Sequence, residues 1–253
     1  MKLKLLISFV MLSALGLSTS LYAINGQVEV SSDYTDTPPT IDGVFTPGEW
    51  PATEAFVIDS PIHTRVYISN DDHFVYLFVD AATYSGDYTQ DTGDDCDVVL
   101  YHNGKGIISQ VFGDQSRHCE ITHSATQPLG WSMASCTGKA MAGFGPSPDT
   151  AVHHRMYEFK VPLSSFNAAP GDIVSFGSPG YNASMPHDAS SGMHNDWPEN
   201  SIISYYDTWA LLHLAKSDRI AVPTLSQWGT LSLLLLMGSA ALWTIRRRKE
   251  FPA

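Results

Sequence analysis

The chain has 253 residues, 43% of them hydrophobic and only 16% charged, which excludes a disordered segment and is long enough to bury a core without a disulfide scaffold. Its 26 acids and 14 Lys and Arg give a net charge of −12, but residues 24–220 alone hold 25 acids and 8 bases, a net of −17. So acidic a middle repels polyanions, so no nucleic acid is expected as a partner, while cations, neutral sugars and basic proteins stay open.

At the N-terminus, Lys2 and Lys4 precede an uncharged apolar stretch from Leu5 to Leu17. That is the length of a signal-peptide core and short for a membrane span. Residues 1–23 are therefore expected to be a signal peptide, with cleavage after Ser20 and after Ala23 both open; the alternative is an uncleaved anchor.

Residues 24–217 hold short alternating runs separated by turn signals, and none sustains a helical apolar period over three turns. Val28 and Val30 mark the first strand, and Val66 and Ile68 another. After the turn Asn70-Asp71-Asp72, the run Phe74–Val79 is apolar on both faces and predicts a central strand. Val98 to Tyr101 leads through Asn103-Gly104 into Ile107-Ile108, a hairpin whose turn residues accept positive φ. Tyr157–Val161, Ile173–Phe176 and Trp209–Leu214 follow. The spacing predicts an all-β fold, one antiparallel β-sandwich over residues 24–217.

Cys119 and Cys136 both lie in short strand-like runs with Pro128 and Gly130 between them, and are the expected disulfide of an exported domain. Cys96 shares a strand face with Val98 and Leu100 and reads as a buried thiol.

Asp87, Asp91, Asp94, Asp95 and Asp97 crowd a loop feeding a strand, interrupted by Gly86 and Gly93. Hard oxygen ligands on a flexible loop suit Ca²⁺, which would relieve the repulsion of five carboxylates with no Lys or Arg near them in sequence. The spacing is not that of an EF-hand, and a solvated acidic loop is the alternative.

Sugar binding needs exposed aromatic faces with planar polar groups beside them. Trp131 and Trp197 lie in Gly/Ser/Pro/Asn-rich loops and are the candidate platforms, followed by Tyr181, Tyr84 and Tyr88; Asn182, Asn195 and Asp196 are candidate hydrogen-bond partners. A plug under a long loop is the alternative for each Trp. Trp50 reads as core. His118, His123, His153, His154, His187 and His194 lack the spacing of a zinc site. No nucleophile elbow, phosphate-cradling loop or HExxH motif is present, so no enzyme is expected.

Ala221 to Ile245 carries no charge, and residues 229–245 predict a transmembrane helix. Arg246, Arg247, Arg248 and Lys249 follow at once, which keeps the tail cytoplasmic and the large domain on the far side. Trp228 and Trp243 bracket the span.

Val222-Pro223-Thr224-Leu225-Ser226-Gln227-Trp228-Gly229, the apolar helix and the Arg cluster together resemble the IPTL-CTERM sorting signal of Gram-negative bacteria. Val replaces Ile at the first position, and Gln227 stands where acidic residues are common. The resemblance implies export, inner-membrane anchoring through the helix, processing by an exosortase-type enzyme, and delivery to the cell surface or extracellular matrix. A permanent tail anchor is the alternative.

A second resemblance rests on Pro39-Thr40-Ile41-Asp42-Gly43-Val44-Phe45 with Gly48-Glu49-Trp50. Val66-Tyr67-Ile68, Val75-Tyr76-Leu77, Asp94–Leu100, Tyr157–Ser164, Gly171–Phe176 and Thr208-Trp209 follow in the same order. The pattern resembles the DOMON-like family that includes the family 9 carbohydrate-binding modules, over residues 38–214 with an unmatched insertion near 112–150. It implies a β-sandwich that binds a ligand, without transferring particular binding residues. The expected function is an exported, non-catalytic module that binds polysaccharide or matrix glycan by aromatic stacking on loops. Alternatives are a structural or adhesive matrix protein without a small-molecule ligand, a haem-binding relative drawing on Met133, Met141 or Met156, and a glycoside hydrolase.

Overall fold

The computed structural model describes residues 27–58, 63–81, 94–177, 197–198, 201–202, 204–217, 232–237 and 239. The expected signal peptide (residues 1–23) and the sorting residues Val222, Pro223, Thr224, Leu225, Trp228, Gly229, Arg246, Arg247 and Arg248 lie outside them. The chain divides into two units, Met1–Lys216 and Ser217–Ala253.

The first unit is a sandwich of two sheets. Its strands are β1 (Glu29–Ser31), β2 (Asp33–Tyr34), β3 (Phe56–Ile58), β4 (Thr64–Asn70), β5 (Phe74–Ala81), β6 (Asp95–His102), β7 (Lys105–Phe112), β8 (Arg117–Thr122), β9 (Ser132–Met133), β10 (Lys139–Gly145), β11 (His154–Pro162), β12 (Ile173–Gly177) and β13 (Ala210–His213). One sheet runs β1-β13-β12-β6-β7-β8-β9 and the other β10-β11-β5-β4-β2, with β3 also on β4. Alternation turns Cys96, Val98 and Leu100 of β6 toward Val75, Leu77 and Val79 of β5, and these fill the shared core. As expected, β5 is central, flanked by β4 and β11. The turn is also as expected: Asn103 and Gly104 take φ of 47° and 79°.

Pairing is not wholly antiparallel. β1 runs parallel to β13 and β2 parallel to β4, because the N-terminal strand crosses from one sheet to the other at Ser32. The crossing is clamped by hydrogen bonds. Ser32 Oγ donates to Asn70 Oδ1 (2.5 Å), the Ala215 N–H reaches that same oxygen (2.9 Å), and Asn70 Nδ2 donates to the Ala215 carbonyl (3.0 Å).

The insertion near 112–150 is part of the sandwich, supplying β8 and β9 to one sheet and β10 to the other. Cys119 and Cys136 form the expected disulfide, although Cys136 lies outside any strand, and Cys96 is a buried free thiol. The edge strands β1, β2 and β9 are two or three residues long. The long edge strand is β10, and there Gln115 occupies both backbone groups of Ala142, donating from Nε2 to its carbonyl (2.6 Å) and accepting its N–H at Oε1 (3.0 Å).

The opening segment covers the outer face of the six-stranded sheet. Trp50 is buried there with Ile41, Tyr67, Tyr76 and Phe78, stacked on Phe78 at 5.3 Å. This is the fold role read from the sequence. The segment is pinned by Glu158, whose buried Oε2 accepts the N–H groups of Asp42 (2.7 Å) and Gly43 (2.6 Å). Burial pushes the Glu158 carboxyl up from 4.5 to about 7; the two backbone donors pull it down, and the charges of Asp42 and Glu49 add to the rise. Gly43 has φ of 80°, and a side chain there would come within 2.9 Å of the Ala142 carbonyl, so the close approach needs glycine.

In the second unit, residues 232–237 and 239 are helical. Among the described residues no helix is long and apolar enough to cross a membrane. Most of the expected span 229–245 lies outside them.

Candidate ligand-binding site

The outer face of the seven-stranded sheet carries two kinds of surface. Strand alternation turns Asp95, Asp97, Val99 and Tyr101 of β6 outward. The register then aligns Tyr101 with Gly106 and Thr122, Val99 with Ile108 and Glu120, and Asp97 with Gln110 and His118.

Toward the hairpin end of this face lies an aromatic layer of Val99, Tyr101, Ile108, Leu129 and Trp209, with Trp131 and Tyr206 half-buried on it. Two glycines make room for the indoles. A Cβ at Gly106 would stand 3.1 Å from Cη2 of Trp131, and one at Gly177 would stand 3.2 Å from the Trp209 ring. Tyr206 stacks on Tyr101 at 4.5 Å and 10°, and Trp131 lies nearly parallel to Trp209 at 6.5 Å and 20°. Trp131 is held by its neighbours in sequence. The Cys119–Cys136 disulfide, the Ala134 N–H bond to the Cys119 carbonyl (2.9 Å) and the β8–β9 pairing fix one flank. On the other flank the Leu129 N–H donates to the Ser204 carbonyl (2.8 Å).

Farther along β7 the same face turns polar. Asp97, Gln110 and His118 stand side by side on three strands. Gln110 Nε2 donates to Asp95 Oδ2, and His118 Nε2 lies 2.9 Å from Glu120 Oε1. A carboxylate, an amide and an imidazole in one row offer both donors and acceptors.

Trp131 is thus half-buried on the outer face of the seven-stranded sheet, whereas Trp197 is not on that face. Trp197 is 9% exposed and stacks on Phe56 at 3.7 Å and 11°, so it is a core side chain and not a platform. Tyr181, Asn182, Asn195, Asp196, Tyr84, Tyr88, Asp87 and Asp91 lie outside the described residues.

The acidic cluster needs a second correction. Asp94 does have a cation beside it: Arg155 Nε donates to Asp94 Oδ2 at 2.8 Å, with both side chains buried. The sequence hid this partner because it stands 61 residues away. At the same end, His154 Nε2 lies 2.5 Å from Asp80 Oδ1. Burial works against the charged imidazole, but the bonds to Asp80 and the Val152 carbonyl and the Asp80 charge outweigh it, so His154 stays protonated to higher pH than usual. Among the described residues no three His, Cys, Asp or Glu side chains are grouped to hold a metal ion. Met133 lies on β9, while Met141 and Met156 lie in the other sheet.

Sequence reasoning missed Gln110, Tyr206 and Trp209 as members of this face. Gln110 was within reach, since the Asn103-Gly104 turn sets a register that puts it opposite Asp97. Tyr206 carried no such signal, because it belongs to a short 3-10 turn, Tyr206–Thr208, brought across the face by tertiary packing.

No protein-family model and no curated protein matches the chain. Among solved structures, a carbohydrate binding module family 9 from Caldicellulosiruptor kristjanssonii in complex with cellotriose is similar to it. That module is 13% identical, with a TM-score of 0.43 over 77% of this chain and 98% of the other. A second such structure from that organism, in complex with glucose, is 11% identical, with a TM-score of 0.41 over 77% of this chain and 100% of the other.

Proposed function

We propose that the first unit is a non-catalytic carbohydrate-binding module whose ligand lies along the outer face of the seven-stranded sheet. The observation that carries this reading is that one face holds both the Trp131 plate and the Asp97–Gln110–His118 row. From Gly106, under Trp131, to Gln110 is about 14 Å at the usual rise per strand residue, room for more than one sugar ring. The apolar C–H face of a pyranose would stack on the indole while its hydroxyl edge meets the polar row. A glycan array with the full chain is expected to show binding that Trp131→Ala and Gln110→Ala both abolish. No wild-type binding to any glycan, or binding indifferent to both substitutions, rejects the reading and favours a structural matrix protein.

The addressing signals extend the proposal. Lys2, Lys4 and the apolar run after them support export, and a disulfide suits an oxidising compartment. The Val222–Gly229 pattern, the apolar stretch and Arg246–Arg248 support inner-membrane anchoring, processing by an exosortase-type partner and delivery to the surface or matrix of a Gram-negative cell. Mass spectrometry of the mature chain is expected to find an end upstream of Arg246; a chain ending at Ala253 rejects processing. A Ca²⁺ ion at the acidic cluster would draw on Asp87 and Asp91 and on Asp95 and Asp97 of β6, with Asp94 already held by Arg155. It predicts a higher melting temperature at millimolar Ca²⁺, and an unchanged one rejects it.

A further inference from the structure

The outer face of the six-stranded sheet has a cavity of its own, about 280 Å³, between the start of β2, the Glu49-Trp50-Pro51 segment and Ser69 of β4. Three buried polar atoms belong to residues on its walls: Glu49 Oε2, Trp50 Nε1 and Ser69 Oγ. None of them has a hydrogen-bond partner among the described residues. Trp50 is 6% exposed and Ser69 only 2%. Native interiors pair such groups, so three orphans around one cavity mark a place shaped for an occupant that hydrogen-bonds.

The atoms also say which kind. The Trp50 Nε1–H can only donate, the Glu49 carboxylate can only accept, and the Ser69 hydroxyl does either. An ammonium brings donors alone and leaves the indole N–H unmet. An anion would face Asp33 and Glu49, and among the described lining residues there is no Lys, Arg or His. A hydroxyl both gives and takes a hydrogen bond, and neighbouring hydroxyls on one ring would satisfy all three atoms. The size sits at the small end of ligand sites, fitting one ring and not a chain. A more apolar cleft of about 670 Å³, walled by Phe45, Tyr67, Pro146 and Pro148, meets the cavity at Gly48, Trp50 and Pro51 and gives a ligand room to continue.

We infer that this cavity is a second binding site, for a neutral, hydroxyl-rich ligand of which a single pyranose unit of a saccharide is the source that fits. It stands on the opposite face of the sandwich from Trp131, and its occupancy does not depend on that surface.

The test follows the Trp50 indole N–H resonance of the full chain during titration with glucose, galactose, sorbitol and tetramethylammonium. The expected result is a saturable shift with a pyranose, equal in wild type and Trp131→Ala, and weakened about tenfold by Ser69→Ala, as loss of one hydrogen bond implies. A response to sorbitol without pyranoses keeps the hydroxyl chemistry but overturns the saccharide assignment in favour of a free polyol. The whole proposal is overturned by no saturable shift with any neutral hydroxyl compound, by a response to tetramethylammonium alone, or by a shift indifferent to Ser69→Ala.

Discussion

Arg155 on β11 and Asp94 at the head of β6 join the two sheets through a buried bond of 2.8 Å from Nε to Oδ2. Taking away one partner leaves the other charge buried and uncompensated, so Arg155→Met is expected to lower the unfolding free energy by about 3–5 kcal/mol in urea titrations. Adding Asp94→Leu should recover much of that, since an apolar pair can replace a buried ion pair with little loss. A single-variant loss below about 1 kcal/mol, the range of exposed ion pairs, would mean that water reaches the pair in solution.

The two loop tryptophans should separate cleanly. Trp197→Ala removes a core ring stacked on Phe56 and is expected to cost about 3–5 kcal/mol, seen as a lower melting temperature. Trp131→Ala removes a half-buried ring and should cost about 1–2 kcal/mol while abolishing glycan retention. Equal stability losses from the two would contradict their different burial.

Stability should fall as pH rises through neutrality. The Glu158 carboxyl stands at about 7 in the fold against 4.5, so the folded chain holds its proton more tightly than the unfolded one. Its contribution is full below about pH 4.5 and is lost as pH rises through about 7. His154, also raised, acts in the same direction: its contribution is full below its unfolded value and is lost above its folded one. Melting curves between about pH 5 and pH 8 should show a decline on the order of 2 kcal/mol, much reduced in Glu158→Gln. A profile unaltered by that substitution would assign the decline elsewhere.

Reducing the disulfide should act on both stability and binding. Cys119 and Cys136 are 17 residues apart, and closing a loop of about that size contributes roughly 3 kcal/mol in the chain-entropy view. Replacing both with Ser is expected to lower stability by that order and, at temperatures where the domain remains folded, to weaken glycan binding by freeing the Trp131 segment. Binding unchanged in the folded variant would show that the β8–β9 pairing alone positions the indole.

Period-two alternation made β4, β6 and β11 readable, because each has one side against a partner sheet, while β5 was readable as an unbroken apolar run because both of its faces are covered. Cys96 was readable for the same reason, sharing a face with Val98 and Leu100. Strands β9 and β10 were hidden by composition: Gly, Ser and Thr crowd residues 112–150, and pairing partners on two different sheets hold them in place. Trp131 and Trp197 sit in similar sequence contexts, so their different fates depend on the shape of the fold around each. Arg155 illustrates the same boundary. Its charge was visible, but its neighbour Asp94 is brought to it only when the sheets close on one another.

Among the described strands the long sheet edge is β10, and the amide of Gln115 acts as a stopper on it. By taking both backbone groups of Ala142, it uses up inside the molecule the valence that an incoming chain would need to extend the sheet. The other described edge strands, β1, β2 and β9, are too short to template much. Copies packed side by side are thereby turned away from strand-to-strand growth at that position, and are left to meet through side chains, where contact is weaker and reversible.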